Sequence, residues 1–404
     1  MWSPRRARCR RHARLASSRR SPPRALPTRP NDDPSPYRHP TRAPEPCLSH
    51  PWHHTDMSDV VRWALLGAGR HPELRIAPAV NAAKNAVLRG VWSQDPARGA
   101  AFAERHGAEL AYRSLAEALD DRDVDAVFIS TPNALHAEHA IAAARAGKHI
   151  IVEKPMAVSA DEARAIVRAA RENGRHLGVG YHMRHHSVLR EAARIVTAGE
   201  IGDVVYTTAA FVLHSFVPST IPNSPWKSDA RMMGGGGALM GMGVHVMDTL
   251  RFLVGREVTR VAALSDGQSS ERPLDRLSQI CLEFEGGAQA HMMCSGRFPF
   301  SRNDAVIYGS RGRVIAYDSV DMNAGHGHLE VTTPNEHGGI SARTVRAAVP
   351  DHFVAEVEAF GAAIAGGSPF HADGIDGLRA VEITSAAIAS LWEGRRVAVE
   401  RSEP

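Results

Sequence analysis

Residues 60–69 read VVRWALLGAG, an apolar run that is interrupted by one arginine and ends in two glycines separated by one residue. Such a run is typical of a strand that is buried on both faces, as in a parallel sheet covered by helices. The paired glycines let the backbone turn tightly and approach a pyrophosphate at the start of the next helix. The segment therefore predicts the first strand and the phosphate-binding turn of a doubly wound α/β domain.

Short apolar runs of the same kind alternate with helical patterns as far as residue 181. Serine–glutamate pairs with capping-box spacing indicate helix starts, and glycines lie where helices are expected to end. The apolar runs are residues 124–129, 150–152 and 177–181, the pairs are Ser114 with Glu117 and Ser159 with Glu162, and the glycines are Gly147 and Gly174. This alternation predicts a Rossmann domain, a parallel sheet with helices on both faces, over residues 57–181.

The sequence becomes strand-rich after about residue 183. Ile280, Leu282 and Phe284 share one face of the run 277–284 and polar residues share the other, which is typical of a half-buried antiparallel strand. Further strands are expected at 203–213, 288–298, 304–308 and 313–317, and helices at about 186–198, 352–365 and 375–393. Residues 182–404 are therefore predicted to form an α+β domain with a large, mostly antiparallel open sheet.

The first 56 residues differ from the rest in charge and composition. They hold twelve arginines, four acidic residues and eleven of the 25 prolines, a formal charge of +8 that leaves −4 for the remainder. Without an apolar run or a periodic pattern, they cannot bury enough surface to offset the entropy of ordering. We expect a disordered basic tail, or an extension upstream of a start at Met57. A basic arm for nucleic acid or membrane headgroups is the alternative, whereas the mildly acidic body does not indicate nucleic-acid binding.

Cysteine usage and hydropathy bear on the compartment. The four cysteines, Cys9, Cys47, Cys281 and Cys294, show no metal-ligand or redox spacing, which favours a reducing environment. No eighteen consecutive apolar residues occur, and no apolar stretch of export-signal length follows the arginine pairs of the tail. We expect a cytoplasmic protein without a membrane-spanning segment.

Polar residues that follow the predicted strands are candidates for dinucleotide contacts, because ligands of open α/β sheets bind at the carboxyl ends of the strands. The candidates are Gly67, Gly69 and Arg70, then Ser93, Gln94 and Arg98, then Ser130, Thr131, Pro132, Asn133 and His136, and finally Glu153 and Lys154. The third glycine of the dinucleotide fingerprint is replaced by Pro72, which tolerates the first turn of a helix. In isolation, Glu153-Lys154-Pro155 is also typical of an ordinary turn with solvated charges.

The end of the second strand bears on the choice between NADP and NAD. A carboxylate at this position binds the ribose 2′-hydroxyl of NAD and repels the 2′-phosphate of NADP. Ser93, followed by Gln94 and with Arg98 within reach, favours NADP. Asp95 would restore a preference for NAD if the strand ended two residues later.

A series of short motifs occurs in a characteristic order over nearly all of residues 59–400. They are Gly67-Ala68-Gly69, Thr131-Pro132-Asn133 with His136, Gly147-Lys148-His149, Glu153-Lys154-Pro155, Gly180–Arg184, Gly199–Gly202, Trp226-Lys227, Gly234–Gly237, Gly243-Val244-His245 with Asp248, Gly309–Gly312 and Gly394–Val397. In this order and at these intervals they resemble the glucose–fructose oxidoreductase / inositol dehydrogenase / MocA (Gfo/Idh/MocA) oxidoreductases.

The resemblance implies hydride transfer between C4 of a nicotinamide and a secondary alcohol or carbonyl carbon of a sugar, cyclitol or related molecule. Lys154 matches the family lysine that touches cofactor and substrate oxygen, and a cation there stabilises developing alkoxide charge. His245 matches the histidine that exchanges the hydroxyl proton, for which imidazole titrates in the right range. Many members carry an aspartate four residues earlier, where this chain has Gly241. That difference predicts a less basic His245, proton transfer through water, or altered chemistry.

Further residues match family positions near the substrate or the cofactor phosphates: Arg184, Trp226 and Lys227. Asp248 lies one helical turn after His245, so it is expected to bind or orient substrate, with a structural cap or ion-pair acid as the alternative. The cluster of His182, His185 and His186 lacks an acidic or thiolate partner at ligand spacing and the family uses no metal, so no metal site is predicted.

The sequence therefore predicts an NAD(P)-dependent oxidoreductase that acts on a small polyhydroxylated molecule. The resemblance also implies a homo-oligomer, a dimer or a tetramer, whereas neither nucleic acid nor a membrane is an expected partner. The alternative is a catalytically impaired dinucleotide-binding sensor or scaffold protein of the same fold, to which Gly241 and Pro72 point.

Overall fold

The computed structural model describes residues 60–213, 225–267, 273–299, 301–322, 326–348 and 350–403. The predicted basic tail, residues 1–56, lies outside these ranges. Within them the chain forms two sheets and the helices that cover them. No helix in these ranges is both long and apolar enough to cross a lipid bilayer.

The first sheet is parallel throughout and contains six of the described strands, in the order β3-β2-β1-β4-β5-β6. Its strands are β1 (Val61–Leu66), β2 (Ala86–Trp92), β3 (Leu110–Tyr112), β4 (Ala126–Ile129), β5 (His149–Val152) and β6 (Leu177–Val179). This order is that of a Rossmann fold, in which the direction of winding reverses next to the first strand. The predicted doubly wound domain fold is confirmed, and β2 ends at Trp92, so that Ser93 and not Asp95 directly follows the strand.

Helices connect these strands in the alternating pattern that the sequence predicts. They are α1 (Ala77–Ala82), α2 (Pro96–His106), α3 (Leu115–Asp120), α4 (His136–Arg145) and α5 (Ala160–Glu172). Ser114 and Ser159 accept hydrogen bonds from the backbone N–H groups of Glu117 and Glu162, as predicted. The glutamates, however, accept from the residue before each serine, so the reciprocal half of each capping box is displaced by one residue.

The second sheet contains nine of the described strands, in the order β14-β13-β12-β11-β7-β10-β9-β8-β15. They are β7 (Val204–Val212), β8 (Val258–Ser265), β9 (Leu277–Phe284), β10 (Gln289–Ser295), β11 (Ala305–Gly309), β12 (Arg313–Tyr317), β13 (His328–Pro334), β14 (Ile340–Val345) and β15 (Val397–Ala398). The pairs are antiparallel except for β7 with β10, which confirms the mixed, mostly antiparallel sheet. The sequence did not predict β8, β13, β14 or β15; every β14 residue is exposed or half-buried, so its pattern has no apolar face.

The remaining helices pack on both sheets. They are α6 (Ser187–Thr197), α7 (Ala230–Met233), α8 (Val244–Val254), α9 (His352–Ile364) and α10 (Gly374–Glu393). Short 3₁₀ or π turns lie at Pro72–Ile76, Asn133–Leu135, His182–His185, Pro225–Ser228, Leu239–Gly243 and Glu285–Gly287. Along α10, Leu378 and Val381 belong to the core of the first sheet, whereas Ile383 and Ala387 belong to that of the second. The predicted division into residues 57–181 and 182–404 stays a prediction.

Aromatic packing attaches α9 to the face of the first sheet. The Phe360 ring is fully buried and lies 5.7 Å from the Trp63 ring of β1 and 5.1 Å from Phe370. Trp63 is almost three hundred residues before Phe360, and Phe370 lies beyond the end of α9. The cluster therefore connects distant parts of the chain.

Truncation of this cluster is expected to destabilise the protein. Phe360→Ala removes a buried ring and leaves a cavity, and we expect a loss of about 3–5 kcal/mol in the free energy of unfolding. Trp392→Ala is a matched control, since Trp392 is 62 % exposed, and its effect should stay within about 0.5 kcal/mol. Chemical denaturation monitored by circular dichroism measures both variants, and equal losses would contradict the packing argument.

Candidate active site

A cavity of about 1020 Å³ lies at the carboxyl ends of β1, β2 and β4. Most of the predicted cofactor residues line it, together with two predicted substrate residues from the second half of the chain. The predicted residues on its wall are Gly67, Gly69, Arg70, Ser93, Gln94, Arg98, Ser130, Thr131, Pro132, Trp226 and Lys227. The cavity has the size and position expected of a dinucleotide site in an open α/β sheet.

The glycine turn after β1 forms one wall of this cavity. Gly67 adopts a φ of +118°, and a Cβ atom there would lie 2.7 Å from the backbone oxygen of Ser130. No atom lies within 4 Å of a Cβ built on Gly69, so the backbone stays open to a ligand. The next helical segment starts at residue 70, and Pro72 fits inside its first turn. This glycine turn and helix N-terminus fit a pyrophosphate.

The end of β2 offers a hydroxyl, an amide and a guanidinium to the cavity. Ser93 is buried, and Gln94 and Arg98 line the wall beside it. The Asp95 carboxylate accepts a 3.1 Å hydrogen bond from the Arg98 backbone N–H at the start of α2 and forms a 3.2 Å ion pair with the Arg98 side chain. Asp95 therefore caps a helix and is not part of the cavity wall.

The segment after β4 holds the two halves of the chain together as well as lining the cavity. The Thr131 hydroxyl lies 3.0 Å from Nδ1 of His139, a cavity residue that the sequence did not suggest. Asn133 is buried and donates to the backbone oxygen of Met233 at 3.1 Å. The buried His136 ring lies between two backbone carbonyls, with Nδ1 2.8 Å from the oxygen of Pro155 and Nε2 2.9 Å from that of Thr131. His136 thereby connects the ends of β4 and β5.

The end of β5 carries a buried acid next to a half-buried cation. Glu153 lies 3.0 Å from Nε2 of His71. Burial alone would raise the pKa of Glu153, but the charges of His71 and Lys154 hold it below its usual value. Burial lowers the pKa of Lys154, against the opposing charge of Glu153. Lys154 therefore has the depressed pKa of a cation held near apolar groups.

Lys154 approaches the helix that carries His245. Its Nζ donates to the backbone oxygen of Gly241 at 3.4 Å, in the π turn that precedes α8. Gly241 is four residues before His245, one helical turn away, and the charge of Lys154 lowers the pKa of His245. The structure therefore brings the predicted lysine and the predicted histidine together, with a backbone carbonyl where many family members carry a carboxylate.

His245 lies in an aromatic environment on α8 and is only 2 % exposed. The rings of His182, Tyr181 and Phe211 surround it at centroid distances of 4.8, 6.3 and 5.8 Å. Burial, followed by the charge of Lys154, holds the pKa of His245 well below its usual value. The ring is therefore neutral at physiological pH, the form in which an imidazole can accept a proton.

The predicted substrate residues Arg184 and Asp248 contact each other and are not part of the cavity wall. The Arg184 guanidinium donates to both Asp248 carboxylate oxygens at 2.7 and 2.8 Å, and to both Asp376 oxygens at 2.8 Å. Arg251 adds a 3.1 Å ion pair to Asp376 and a 2.6 Å pair to Glu257. Although burial opposes it, Asp248 and Asp376 raise the pKa of Arg184. The alternative reading of Asp248 as an ion-pair acid matches this geometry.

Trp226 and Lys227 approach the cavity from the second half of the chain. The Lys227 Nζ lies 5.5 Å from the centroid of the Trp226 ring. Burial, followed by the charge of Lys154, lowers the pKa of Lys227 to about 8. Lys227 thus links the cavity wall electrostatically to the Lys154 site.

Asp275 is a functional candidate that the sequence did not reveal. Its buried carboxylate accepts hydrogen bonds from the backbone N–H of Gly237 at 2.6 Å, the N–H of Leu239 at 2.9 Å and the Ser278 hydroxyl at 2.7 Å. A Cβ on Gly237 would collide with the backbone oxygen of Asp275, which explains the glycine at this position. Asp275 therefore fixes the start of the helical segment that carries His245, and only its proximity in space identifies it.

Two further observations define the site. Among the described residues, no group of three histidine, cysteine or acidic side chains has the geometry to hold a metal ion.

A second cavity, of about 980 Å³, lies at the opposite edge of the first sheet, where Val61, Arg62 and His149 begin their strands. Of these two cavities, only the first lies at the carboxyl ends of the strands, where open α/β sheets bind ligands.

Comparison with known proteins supports this description. A family model described as "Oxidoreductase family, NAD-binding Rossmann fold" matches residues 61–181, and the "GFO/IDH/MocA C-terminal domain" model matches residues 189–315. The chain is 31 % identical to inositol 2-dehydrogenase of Rhizobium meliloti (strain 1021), over 84 % of this chain and 99 % of that protein. It is 33 % identical to 1,5-anhydro-D-fructose reductase of Ensifer adhaerens, over 63 % of this chain and 75 % of that protein.

A solved structure gives the same result. The fold is similar to levoglucosan dehydrogenase in complex with NADH and levoglucosan, with a TM-score of 0.74 and 26 % sequence identity. The match covers 84 % of this chain and all of that one.

The buried ion pairs give a test of what Asp248 does. Asp248→Asn removes a carboxylate that faces Arg184 and Arg251, and we expect the free energy of unfolding to fall by about 3–5 kcal/mol. Asp123→Asn is the matched control, because Asp123 pairs with Arg62 at the surface, and should cost less than about 1 kcal/mol. Thermal and chemical denaturation measure both. A variant of Asp248 with unchanged stability but a raised KM would indicate direct substrate binding instead.

Proposed function

This chain belongs to the Gfo/Idh/MocA family of NAD-binding oxidoreductases, and we propose that it transfers a hydride between nicotinamide C4 and a secondary alcohol or carbonyl carbon of a sugar, cyclitol or related polyhydroxylated molecule. The relatives named above act on inositol and on anhydrofructose, and the levoglucosan dehydrogenase structure holds both cofactor and sugar. Their shared substrate chemistry supports the class of substrate.

One observation carries the proposal: Nζ of Lys154 contacts the backbone oxygen of Gly241, one helical turn before His245, and its charge acts on the His245 ring, next to a cavity that fits a dinucleotide. The ammonium group of Lys154 stabilises the negative charge that develops on the reacting oxygen. The neutral imidazole of His245 accepts the hydroxyl proton during oxidation and returns it during reduction. Both groups work in a site from which water is largely excluded, where electrostatic interactions are strong.

The nicotinamide supplies the hydride acceptor or donor when it is bound. Gly67, Gly69 and Arg70 would hold the pyrophosphate, while Ser93, Gln94 and Arg98 would face the adenosine ribose. Because Asp95 is engaged at the N-terminus of α2, no carboxylate of the β2 end competes with a 2′-phosphate, and Arg98 lies on the cavity wall. We assign NADP a slight preference over NAD, although the sugar-bound relative carries NADH.

The substrate would lie between the Lys154 site and the side chains that enter from the second half of the chain. Trp226 offers an aromatic face to the apolar side of a sugar ring, and Lys227 offers a cation to its oxygens. Arg184 and Asp248 act one layer away, where their ion pair fixes α8 and therefore the position of His245.

The second sheet and the thiols support the proposed assembly and compartment of the protein. Tyr206 and Tyr308 stack on its exposed face with ring centroids 6.1 Å apart, and both are exposed. A face-to-face homo-oligomer, a dimer or a tetramer, would bury these rings. Cys281 and Cys294 are free thiols, which fits a cytoplasmic protein.

A substrate panel tests the proposed reaction. We expect cofactor absorbance to change with at least one polyol or keto-sugar, and Lys154→Ala to lower kcat/KM by about 100- to 1000-fold, because it removes the cation beside the reacting oxygen. Lys84→Ala, an exposed lysine, is the control and should retain the activity. Running the panel with both nicotinamides gives the cofactor preference. Binding of a dinucleotide without turnover of any compound would indicate a sensor instead.

The glycine at position 241 gives a pH prediction. Gly241→Asp places a carboxylate beside Lys154 and one helical turn from His245, so the pKa of both groups should rise. The acid limb of the pH profile of kcat/KM reports the deprotonation of His245, and the alkaline limb reports the loss of the Lys154 proton. Both limbs should therefore move to higher pH, whereas the uncharged Gly241→Asn should leave them in place. An unchanged profile in Gly241→Asp would remove these two groups from the rate-determining ionisations.

A further inference from the structure

Four buried imidazoles form a continuous row that starts at His245. Centroid distances are 4.8 Å from His245 to His182, 4.7 Å from His182 to His352, and 5.5 Å from His352 to His186. The four rings come from three segments: α8, the first residue of α9, and the turn between β6 and α6, which carries both His182 and His186. None of the four residues is more than 2 % exposed.

Most ring nitrogens of this row are not satisfied by protein atoms. Both nitrogens of His182 and His352, and Nδ1 of His245, have no hydrogen-bond partner among the described residues, whereas the His186 ring lies within hydrogen-bonding reach of the His326 backbone. Buried polar groups in proteins almost always have a partner, and where protein supplies none, an internal water does so. Two successive hydrogen bonds through one water join nitrogens up to about 6 Å apart, and the ring centroids of neighbours in the row lie 4.7–5.5 Å apart.

The electrostatic surroundings of the row are asymmetric. The charged or titratable groups that face it are Lys154, His71, Arg75, Asp351, Asp321 and His326. At the inner end, the charge of Lys154 lowers the pKa of His245. At the outer end, Asp321 counters the burial that lowers the pKa of His186, and the exposed His326 lies alongside. A proton is therefore repelled from the inner end of the row and attracted to the outer end.

We propose that His245, His182, His352 and His186, bridged by internal waters, form a proton relay between the reaction centre and the surface at Asp321. The relay rests on the proposed function, because hydride transfer from an alcohol leaves one proton that has to reach solvent. The substrate C–H bond breaks and its hydride goes to the nicotinamide, while the hydroxyl proton goes to one nitrogen of His245. His245 releases the proton on its other nitrogen to the bridging water, and each ring passes one proton onward in the same way. The net result is one carbonyl, one reduced nicotinamide and one proton in solvent.

His352 is the residue whose variant tests the relay most directly, because its ring does not contact His245. We expect His352→Phe to fold, to bind cofactor and to lower the rate of proton transfer to solvent about 10- to 100-fold. His185→Phe is the matched control: His185 is equally buried, but its ring stacks on Phe370 at 5.2 Å, outside the row. Denaturation midpoints and cofactor affinity of both variants establish that they are folded.

Rapid mixing of enzyme, alcohol substrate and oxidised nicotinamide in weak buffer, with a pH-indicator dye, separates hydride transfer from proton release. In the wild type and in His185→Phe, dye and cofactor signals should rise together. In His352→Phe, proton release should limit turnover, so the solvent deuterium isotope effect should increase while the isotope effect of the substrate C–H bond should decrease. If His352 had only a structural role, the variant would lower the rates without raising the solvent isotope effect and lowering the isotope effect of the substrate C–H bond.

A second measurement does not depend on turnover. In cofactor-free protein with isotopically labelled histidines, ring N–H protons of His182 and His352 should exchange with water faster than that of His185. Equal exchange rates, or a His352→Phe variant that behaves like His185→Phe, would overturn the relay while leaving the proposed reaction intact. A wild type that turns over no substrate would overturn the proposed reaction, and the relay with it.

Discussion

The bidentate contacts of Arg184 with Asp248 and Asp376 hold the active-site region together. Arg184 belongs to the turn after β6, Asp248 to α8 and Asp376 to α10, so one guanidinium connects the first sheet, the helix of His245 and the helix that spans both cores. A buried ion pair gives little net stability compared with apolar packing, but its directional hydrogen bonds allow few alternative arrangements. Because His182 and His245 lie within three residues of the paired groups, this contact also sets their separation.

The interior around β5 and α8 is unusual in the number of ionisable groups that it keeps without charge. Burial lowers the pKa of His182, His245, His186 and His352, so these rings are neutral near pH 7. Charge is retained where a partner is present, as for Glu153 beside His71. A site of this kind suits a reaction in which a proton and a hydride travel separately, because a neutral imidazole can accept a proton on one ring nitrogen and release one from the other.

At Gly241 a backbone carbonyl contacts Lys154 where many family members carry a carboxylate. Its backbone oxygen receives Lys154, and the π turn Leu239–Gly243 presents that oxygen because the helix is locally widened. A carbonyl carries only a partial charge, so it orients the lysine but does not raise the pKa of its neighbours as a carboxylate would. Burial therefore lowers the pKa of Lys154 and His245 without a carboxylate at position 241 to oppose it.

The amino-acid pattern was sufficient for the Rossmann fold and the glycine turn, because buried parallel strands and tight turns restrict which residues can occupy them locally, whereas it left the end of β2 open between Ser93 and Asp95. The motif order was also sufficient to indicate the family. Which residues meet across long sequence separations was decided by tertiary packing alone: the capping of the Gly237 segment by Asp275, the pairing of Arg184 with Asp248, and the row from His245 to His352. Such contacts leave no periodic signal, since each partner is a single residue on a separate element and its role depends on the low-dielectric environment that only folding creates.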